Sequence, residues 1–148
     1  MNENAPRWLQ VLLAEHGVKE TPGPKSTPRI DLYHAATSGG VPPQGDETSW
    51  CSSACCFAME QSHVRSTRSK AAISWLTWGV GIQVPRLGCV TVLHREDPRN
   101  PNAAHVALWL ATIGDRVVLL GGNQGNAVSI VPYAAARVMA FRVPMGDL

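Results

Sequence analysis

Apolar positions along the chain change period about halfway. In the first half they recur at helical spacing. Residues 6–16 carry Trp8, Leu9, Val11, Leu12 and Leu13 as one broad face, with Asn4 placed to cap, Pro6 suited to the first turn and Gly17 to end it. Residues 20–28 hold three prolines and a glycine and predict a loop. A short helix is predicted over 30–36, a second loop over 38–49 with Gly39-Gly40 and Pro42-Pro43, and further helices over 50–62 and 69–78. Past Gly79 the pattern turns to short runs of valine, leucine and isoleucine between turn residues, predicting strands at 89–93, 106–113, 116–120, 128–131 and 138–143. Gly114-Asp115 between two such runs is a two-residue hairpin signal. Helices first and an antiparallel sheet afterwards predict the α+β class, with N-terminal helices packed on a C-terminal antiparallel sheet, in a single domain over 1–148.

Composition narrows this picture. The chain of 148 residues is 45% hydrophobic and 16% charged, which excludes a disordered chain and a coiled coil. Its net charge of +2 gives no electrostatic footprint for nucleic acid. The apolar stretches fall far short of the ~20 residues of a membrane span, so no membrane insertion is expected. The apolar run 8–14 contains Gln10, continues into Glu15 and His16, and follows no basic segment, so no signal peptide is expected and synthesis is expected in the cytoplasm. The four cysteines are Cys51, Cys55, Cys56 and Cys89; three crowd into six residues, which is not a disulfide framework and predicts thiols.

Cys51 follows a loop rich in glycine and proline and opens a predicted helix. Ala54, Cys55, Ala58 and Met59 lie three, four, seven and eight residues on, on the same stripe, so Cys51 faces the rest of the domain at the helix's first turn. The free N–H groups and positive dipole end there favour a thiolate and can hold an oxyanion beside it. Cys55 and Cys56 lie a turn further in and are assigned to packing, as is Cys89 on a strand. A zinc site built from Cys51, Cys55, Cys56 and His63 is disfavoured, because adjacent cysteines on a helix point about 100° apart; no metal and no cofactor is expected.

A reactive thiol needs an imidazole. Of His16, His34, His63, His94 and His105, the last is distinct, because it starts a hydrophobic strand after Ala103-Ala104. His63 ends the cysteine helix, roughly 18 Å from Cys51 by helical rise. Folding the hairpin about Gly114-Asp115 with Ile113 opposite Arg116 sets His105 opposite Gln124, and a slip of one residue sets it opposite Asn123. Either amide suits the task of fixing an imidazole's tautomer, and the segment Gly121-Gly122-Asn123-Gln124-Gly125 reads equally as a plain glycine-rich turn. Trp50 next to Cys51 reads evenly as core or as groove wall. Trp75 and Trp78 read as core, and Arg65, Arg68 and Lys70 as a solvated face. Trp50, Gln124 and Asp46 are the candidate substrate contacts, with Asp46 and Glu47 also suited to capping the cysteine helix.

Trp50-Cys51-Ser52 after Asp46-Glu47, then Ala71-Ala72-Ile73-Ser74-Trp75-Leu76-Thr77-Trp78-Gly79, Ala104-His105-Val106, Leu120-Gly121-Gly122-Asn123-Gln124, Tyr133 and Arg142-Val143-Pro144, with Glu20-Thr21-Pro22-Gly23 upstream, together resemble the small phage- and plasmid-associated CHAP/NlpC-like cell-wall hydrolases. The resemblance runs over about 8–144 and implies a papain-like fold, cleavage of amide bonds in peptidoglycan, Cys51 as nucleophile, His105 as base and Asn123 as the orienting residue. Two departures stand out. Ala104 and Ala107 flank the His105-Val106 pair where the family has glycines, and Cys89 stands where an aspartate is usual. The expected activity is therefore that of a cysteine amidase or endopeptidase acting on stem peptides, as a phage endolysin or a secreted antibacterial effector, reaching the wall through a holin or a secretion system, with an immunity protein as a partner in the second case. The alternatives are a cysteine acyltransferase or deamidase acting on proteins, and a non-catalytic wall-binding module.

Overall fold

The computed structural model describes residues 4–22, 25–43, 45–97 and 99–147, with Glu47 described by its backbone alone. Gly23 of the expected first loop, and the Glu47 side chain as a cap, lie outside what is described. Helix α1 (Arg7–Ala14) buries the stripe Trp8, Leu9 and Leu12. Its cap position is Pro6 rather than Asn4, and no side chain caps it. Gly17, at φ +95°, donates its N–H to the Val128 carbonyl at 2.9 Å, which ties the helix exit to the sheet. Helix α2 (Pro28–Ala35) has proline in its first turn and buries Ile30, Tyr33 and His34.

Helix α3 (Cys51–Gln61) is the centre of the molecule. Every residue from Cys51 to Met59 is buried, and α1, α2 and the sheet all pack against it. Its small side chains (Ser52, Ser53, Ala54, Cys55, Cys56, Ala58) let neighbours approach from all sides, which is why the helix lacks a polar face. The helix expected over 69–78 is a 3-10 segment, Ala72–Thr77. Serine side chains compete for the backbone there: Ser69 Oγ accepts from the Ala71 N–H at 3.1 Å, and Ser74 Oγ donates to the Ala71 carbonyl at 2.7 Å. Trp75 pins the segment to α3 by donating its indole N–H to Ser52 Oγ at 2.8 Å.

Among the described residues six strands form one antiparallel sheet: β1 (Val80–Ile82), β2 (Val90–His94), β3 (Ala104–Ile113), β4 (Arg116–Gly121), β5 (Ser129–Ala134) and β6 (Val138–Val143), in the order β1-β6-β2-β3-β4-β5. The α+β expectation holds. β1 was not foreseen, since three residues with a central Gly81 carry no alternation. β5 runs past Pro132, beyond the expected end at 131; it is an edge strand, where a missing N–H is tolerated. One side of the sheet joins the helices in the main core through Val90, Val92, Val106, Leu108 and Leu120. The other gathers Leu93, Ala107, Val117 and Leu119 with Tyr133, Val138 and Phe141.

The β3–β4 hairpin turns at Gly114-Asp115 with Ile113 opposite Arg116, as expected. A bulge between Trp109 and Ala111 then shifts the register, so that Leu108 faces Leu120. β4 ends at Gly121, so nothing in the ladder stands opposite His105 on that side.

Candidate active site

The gap left by β4 shapes the site. In the β2–β3 pair, the bonds Arg95 N–H to Ala103 O and Trp109 N–H to Cys89 O mark alternate residues of β3 as bonded to β2. Val106 falls on the other phase, so its N–H and carbonyl point away from β2, to where β4 would continue. Helix α3 occupies that place. The Val106 N–H acts on the Cys51 sulfur and lowers the thiol's pKa, and the Cys55 thiol points to the Val106 carbonyl at 4.0 Å. The first turn of α3 is thereby fastened to the start of β3, one residue from His105.

Two glycines allow this. A Cβ on Gly122 would come within 2.7 Å of the Ala54 Cβ and 2.8 Å of the Trp50 ring, so only glycine lets the chain leaving β4 lie on α3. A Cβ on Gly121 would fall 2.6 Å from the Ala107 Cβ and 2.9 Å from Gln124 Oε1, filling the space the Gln124 side chain uses. Asn123, at φ +58°, completes the turn and sends Gln124 back under the hairpin.

His105 and Gln124 are both buried. Gln124 Nε2 donates to the Ser129 carbonyl at 2.7 Å and to the Leu119 carbonyl at 3.3 Å. Those two acceptors fix the amide's orientation, so Oε1 faces His105 Nε2 at 2.9 Å as an acceptor. His105 Nε2 therefore carries the proton, and Nδ1 is left for the sulfur. Tyr133 lies beside the imidazole, its hydroxyl 3.4 Å from Nε2 and its ring centroid 5.5 Å away.

The electrostatics match this geometry. Burial by itself raises the Cys51 thiol. The hydrogen bond and charge of His105, the Val106 N–H and the Ser49 hydroxyl outweigh it, and the pKa ends below the ordinary thiol value. Burial lowers His105, but the hydrogen bond and charge of Cys51, with Gln124, carry it above the ordinary imidazole value against an opposing push from Arg95. Depression of the thiol and elevation of the imidazole are the two signs of a stabilised thiolate–imidazolium pair. Cys55 and Cys89 move the opposite way, both raised chiefly by burial. Burial also pushes the Tyr133 hydroxyl up to about 12.

The structure thus brings Cys51, His105 and Gln124 together, and the amide beside the imidazole is that of Gln124. Asn123 does not reach the imidazole; its Nδ2 donates to Ser49 Oγ at 3.3 Å, and that oxygen lies 4.0 Å from the Cys51 sulfur. Two expected substrate contacts are also displaced. Trp50 is fully buried between Tyr33 and Gly122, with its indole N–H on Glu20 Oε1 at 3.2 Å. Asp46 is buried and caps no helix. It accepts from the Thr21 and Thr27 N–H groups at 2.8 and 3.0 Å and from the Thr27 hydroxyl at 2.6 Å, tying two loop strands together. Gln124 is buried behind the imidazole, and part of it also lines the cavity beside His105. The cysteine grouping considered for zinc diverges, since the Cys56 sulfur points to the Ser69 carbonyl and Thr67 hydroxyl, away from Cys51.

Sequence reasoning gave no role to Ser49, Tyr133, Arg95 or Arg137. All four line a cavity of about 250 Å³ with His105, Asn123, Gln124, Gly125 and Asn126. A larger cavity, of about 570 Å³, lies between Trp8, Val64, Trp78 and Pro144 and shares no lining residue with it.

No family model matches the sequence, and no curated protein matches it. Among solved structures, the chain is similar to a protein of Staphylococcus aureus subsp. aureus Mu50 described as similar to a lipoprotein of the NLP/P60 family, with a TM-score of 0.59 and 15% identity. The superposition covers 99% of this chain and 43% of that one, so the chain spans less than half the length of its neighbour. With helices over a six-stranded antiparallel sheet and this neighbour, the chain has an α+β, papain-like fold of the NlpC/P60 type.

Proposed function

We propose that this chain is a cysteine hydrolase that cleaves amide bonds in the stem peptides of peptidoglycan. The observation that carries the reading is the junction of Cys51 and His105, with the imidazole's far nitrogen held by Gln124. In the proposed reaction the Cys51 thiolate attacks the amide carbonyl carbon. The developing oxyanion rests on the Cys51 backbone N–H, unbonded within the first turn of α3, and on the Ser49 hydroxyl. His105 gives its Nδ1 proton to the leaving amine as the C–N bond breaks, leaving a thioester on Cys51. The neutral imidazole then takes a proton from water, whose oxygen attacks the thioester, releasing the acid and restoring the pair. Gln124 takes no part in bond making and is a positioning residue.

The wall as substrate draws support from the sequence resemblance and from the NLP/P60-type fold. We place the enzyme as a lysin or an antibacterial effector acting on the wall of a target cell. The experiment is digestion of purified sacculi by wild type, Cys51→Ala and His105→Ala, with folding checked by circular dichroism and products identified by mass spectrometry. Wild type releases peptide fragments and both variants release none. Turnover at the wild-type rate by either variant rejects the assignment, and the masses of the products separate amidase from endopeptidase cleavage.

A further inference from the structure

The lining of the cavity beside His105 includes two arginines, Arg95 and Arg137, and two asparagines, Asn123 and Asn126. Among the described residues its lining contains no carboxylate. Arg95 is exposed, and its guanidinium has no hydrogen-bond or ion-pair partner among the described residues. Arg137 lies over the Tyr133 ring at 5.3 Å and donates Nε–H to the His94 carbonyl at 3.0 Å, so its remaining N–H groups keep their fork and its charge meets no acid among the described residues. That posture matters. Tyr133 and His94 hold the guanidinium in one place before anything binds, which removes part of the ordering cost of an ion pair.

From this geometry we infer that the cavity is a carboxylate subsite, in which Arg95 and Arg137 hold a free carboxylate of the substrate next to the bond that Cys51 attacks. Both positive charges reach the site itself: each favours the ionised form of Tyr133, and Arg95 opposes protonation of His105. A carboxylate seated there relieves the repulsion between Arg95 and the imidazolium, so binding of the anion and protonation of His105 support each other. A neutral or amidated substrate leaves that repulsion in place. The subsite thus selects peptides with an ionised side-chain or terminal carboxylate close to the cleaved amide. It deepens the proposed function and rests on that reading for its location relative to the scissile bond.

The test separates the two readings. A stem tetrapeptide with free carboxylates, and the same peptide with those groups converted to carboxamides, are titrated calorimetrically into the Cys51→Ala protein, which cannot turn over. The free acid is expected to bind about tenfold or more tightly, as for a charge-assisted bidentate contact. Arg95→Gln in that background is expected to remove most of the advantage, and Arg137→Gln the remainder, with the carboxamide's affinity unchanged within about twofold. Arg95→Gln alone keeps the test valid if Arg137→Gln fails to fold, because the Arg95 side chain supports nothing in the structure. Equal binding of the two peptides, loss of affinity for both alike, absence of binding by either, or an advantage that survives Arg95→Gln overturns the subsite. A preference that depends on Arg95, in a protein whose wild type cuts no wall amide, leaves the subsite standing and rejects the hydrolase.

Discussion

Removal of the Gln124 side chain is the most informative perturbation of the site. Gln124→Ala deletes the acceptor 2.9 Å from His105 Nε2 and both donated bonds to the carbonyls of Ser129 and Leu119. Buried polar groups left without partners cost about 1–3 kcal/mol each, and water entering the vacated space recovers part of it, so a loss of about 2–4 kcal/mol of stability is expected. The catalytic effect is separate. The bond to Oε1 fixes the tautomer with the proton on Nε2 and strengthens when the ring is charged, and charge-assisted bonds contribute about 1.5–3 kcal/mol, so kcat is expected to fall roughly 10- to 150-fold. Cys51 does most to raise the His105 pKa against burial, and the Gln124 hydrogen bond adds to it, so loss of Gln124 lowers the folded-state imidazole pKa. In the proposed reaction the active form has His105 protonated and Cys51 ionised. The alkaline limb of the kcat/KM profile therefore moves to lower pH in the variant, and with less cationic character nearby the acid limb, set by Cys51, moves up. The assay is peptide hydrolysis from pH 4 to 10, with iodoacetamide alkylation of Cys51 over the same range as a measure independent of substrate. Asn123→Ala provides the contrast: it touches Ser49 and not the imidazole, so its alkaline limb stays in place. A Gln124→Ala protein with wild-type kcat and limbs, alongside an Asn123→Ala protein whose alkaline limb moves, would refute the placement of the amide.

Further outcomes are expected elsewhere. In peptide mapping after brief alkylation at neutral pH, Cys51 is labelled well before Cys55 and Cys89, because its pKa is lowered and theirs are raised; labelling of Cys51 slows as pH falls through its pKa, and His105→Ala slows it at neutral pH. Gly121→Ala places a methyl 2.6 Å from the Ala107 Cβ and 2.9 Å from Gln124 Oε1, so it is expected to cost about 1–3 kcal/mol in urea denaturation and to lower kcat; Gly121→Ala/Ala107→Gly recovers part of both, whereas equal losses in the single and double variants would reject the clash as the cause. Asp46→Ala leaves two N–H groups and a hydroxyl of the Thr21–Thr27 loop without their acceptor and is expected to lower stability by about 2–4 kcal/mol with KM unchanged; a raised KM at unchanged stability restores it as a substrate contact.

The sequence carried the elements that rest on periodicity and on local chemistry. The apolar stripe of α1, the valine-rich strands and the Gly114-Asp115 turn are local signals, and each lies within a few residues of its expected place. Cys51 at the head of α3 and His105 at the head of β3 were legible for the same reason. What a sequence pattern cannot carry is the bulge between Trp109 and Ala111, which depends on how β3 packs across two neighbours. Ideal pairing from Ile113–Arg116 points to Gln124. The bulge moves the ladder toward Asn123, and the turn at Asn123 then returns Gln124 to the imidazole by a route outside the ladder. Pairing thus indicated Gln124 for a reason the structure does not use, while the family pattern indicated Asn123. Trp50 and Asp46 misled because proximity to a nucleophile in sequence says nothing about direction: the two flank the same loop, and both turn inward. Arg95 and Arg137 were invisible because they lie 42 residues apart and meet only through the β2–β6 pairing.

Why the site sits at this point of the sheet follows from hydrogen-bond supply. A strand in the middle of a sheet normally has both its backbone edges satisfied, and a buried edge without a partner is costly. At Val106 the partner strand has ended, yet the residue is fully buried, so its N–H and carbonyl need other groups. Sulfur is a weak acceptor as a thiol and a strong one as an anion, so the Val106 N–H is better satisfied when Cys51 is ionised. The fold's unfinished ladder therefore favours the same charge state that the proposed chemistry requires. The Gly121-Gly122 pair is the condition for that arrangement, because any side chain there either pushes the departing strand off α3 or fills the space of Gln124. Ionisation of the nucleophile and orientation of the base are in this sense one structural event, the early exit of β4 from the sheet, and substitutions that lengthen β4 past Gly121 should weaken both together.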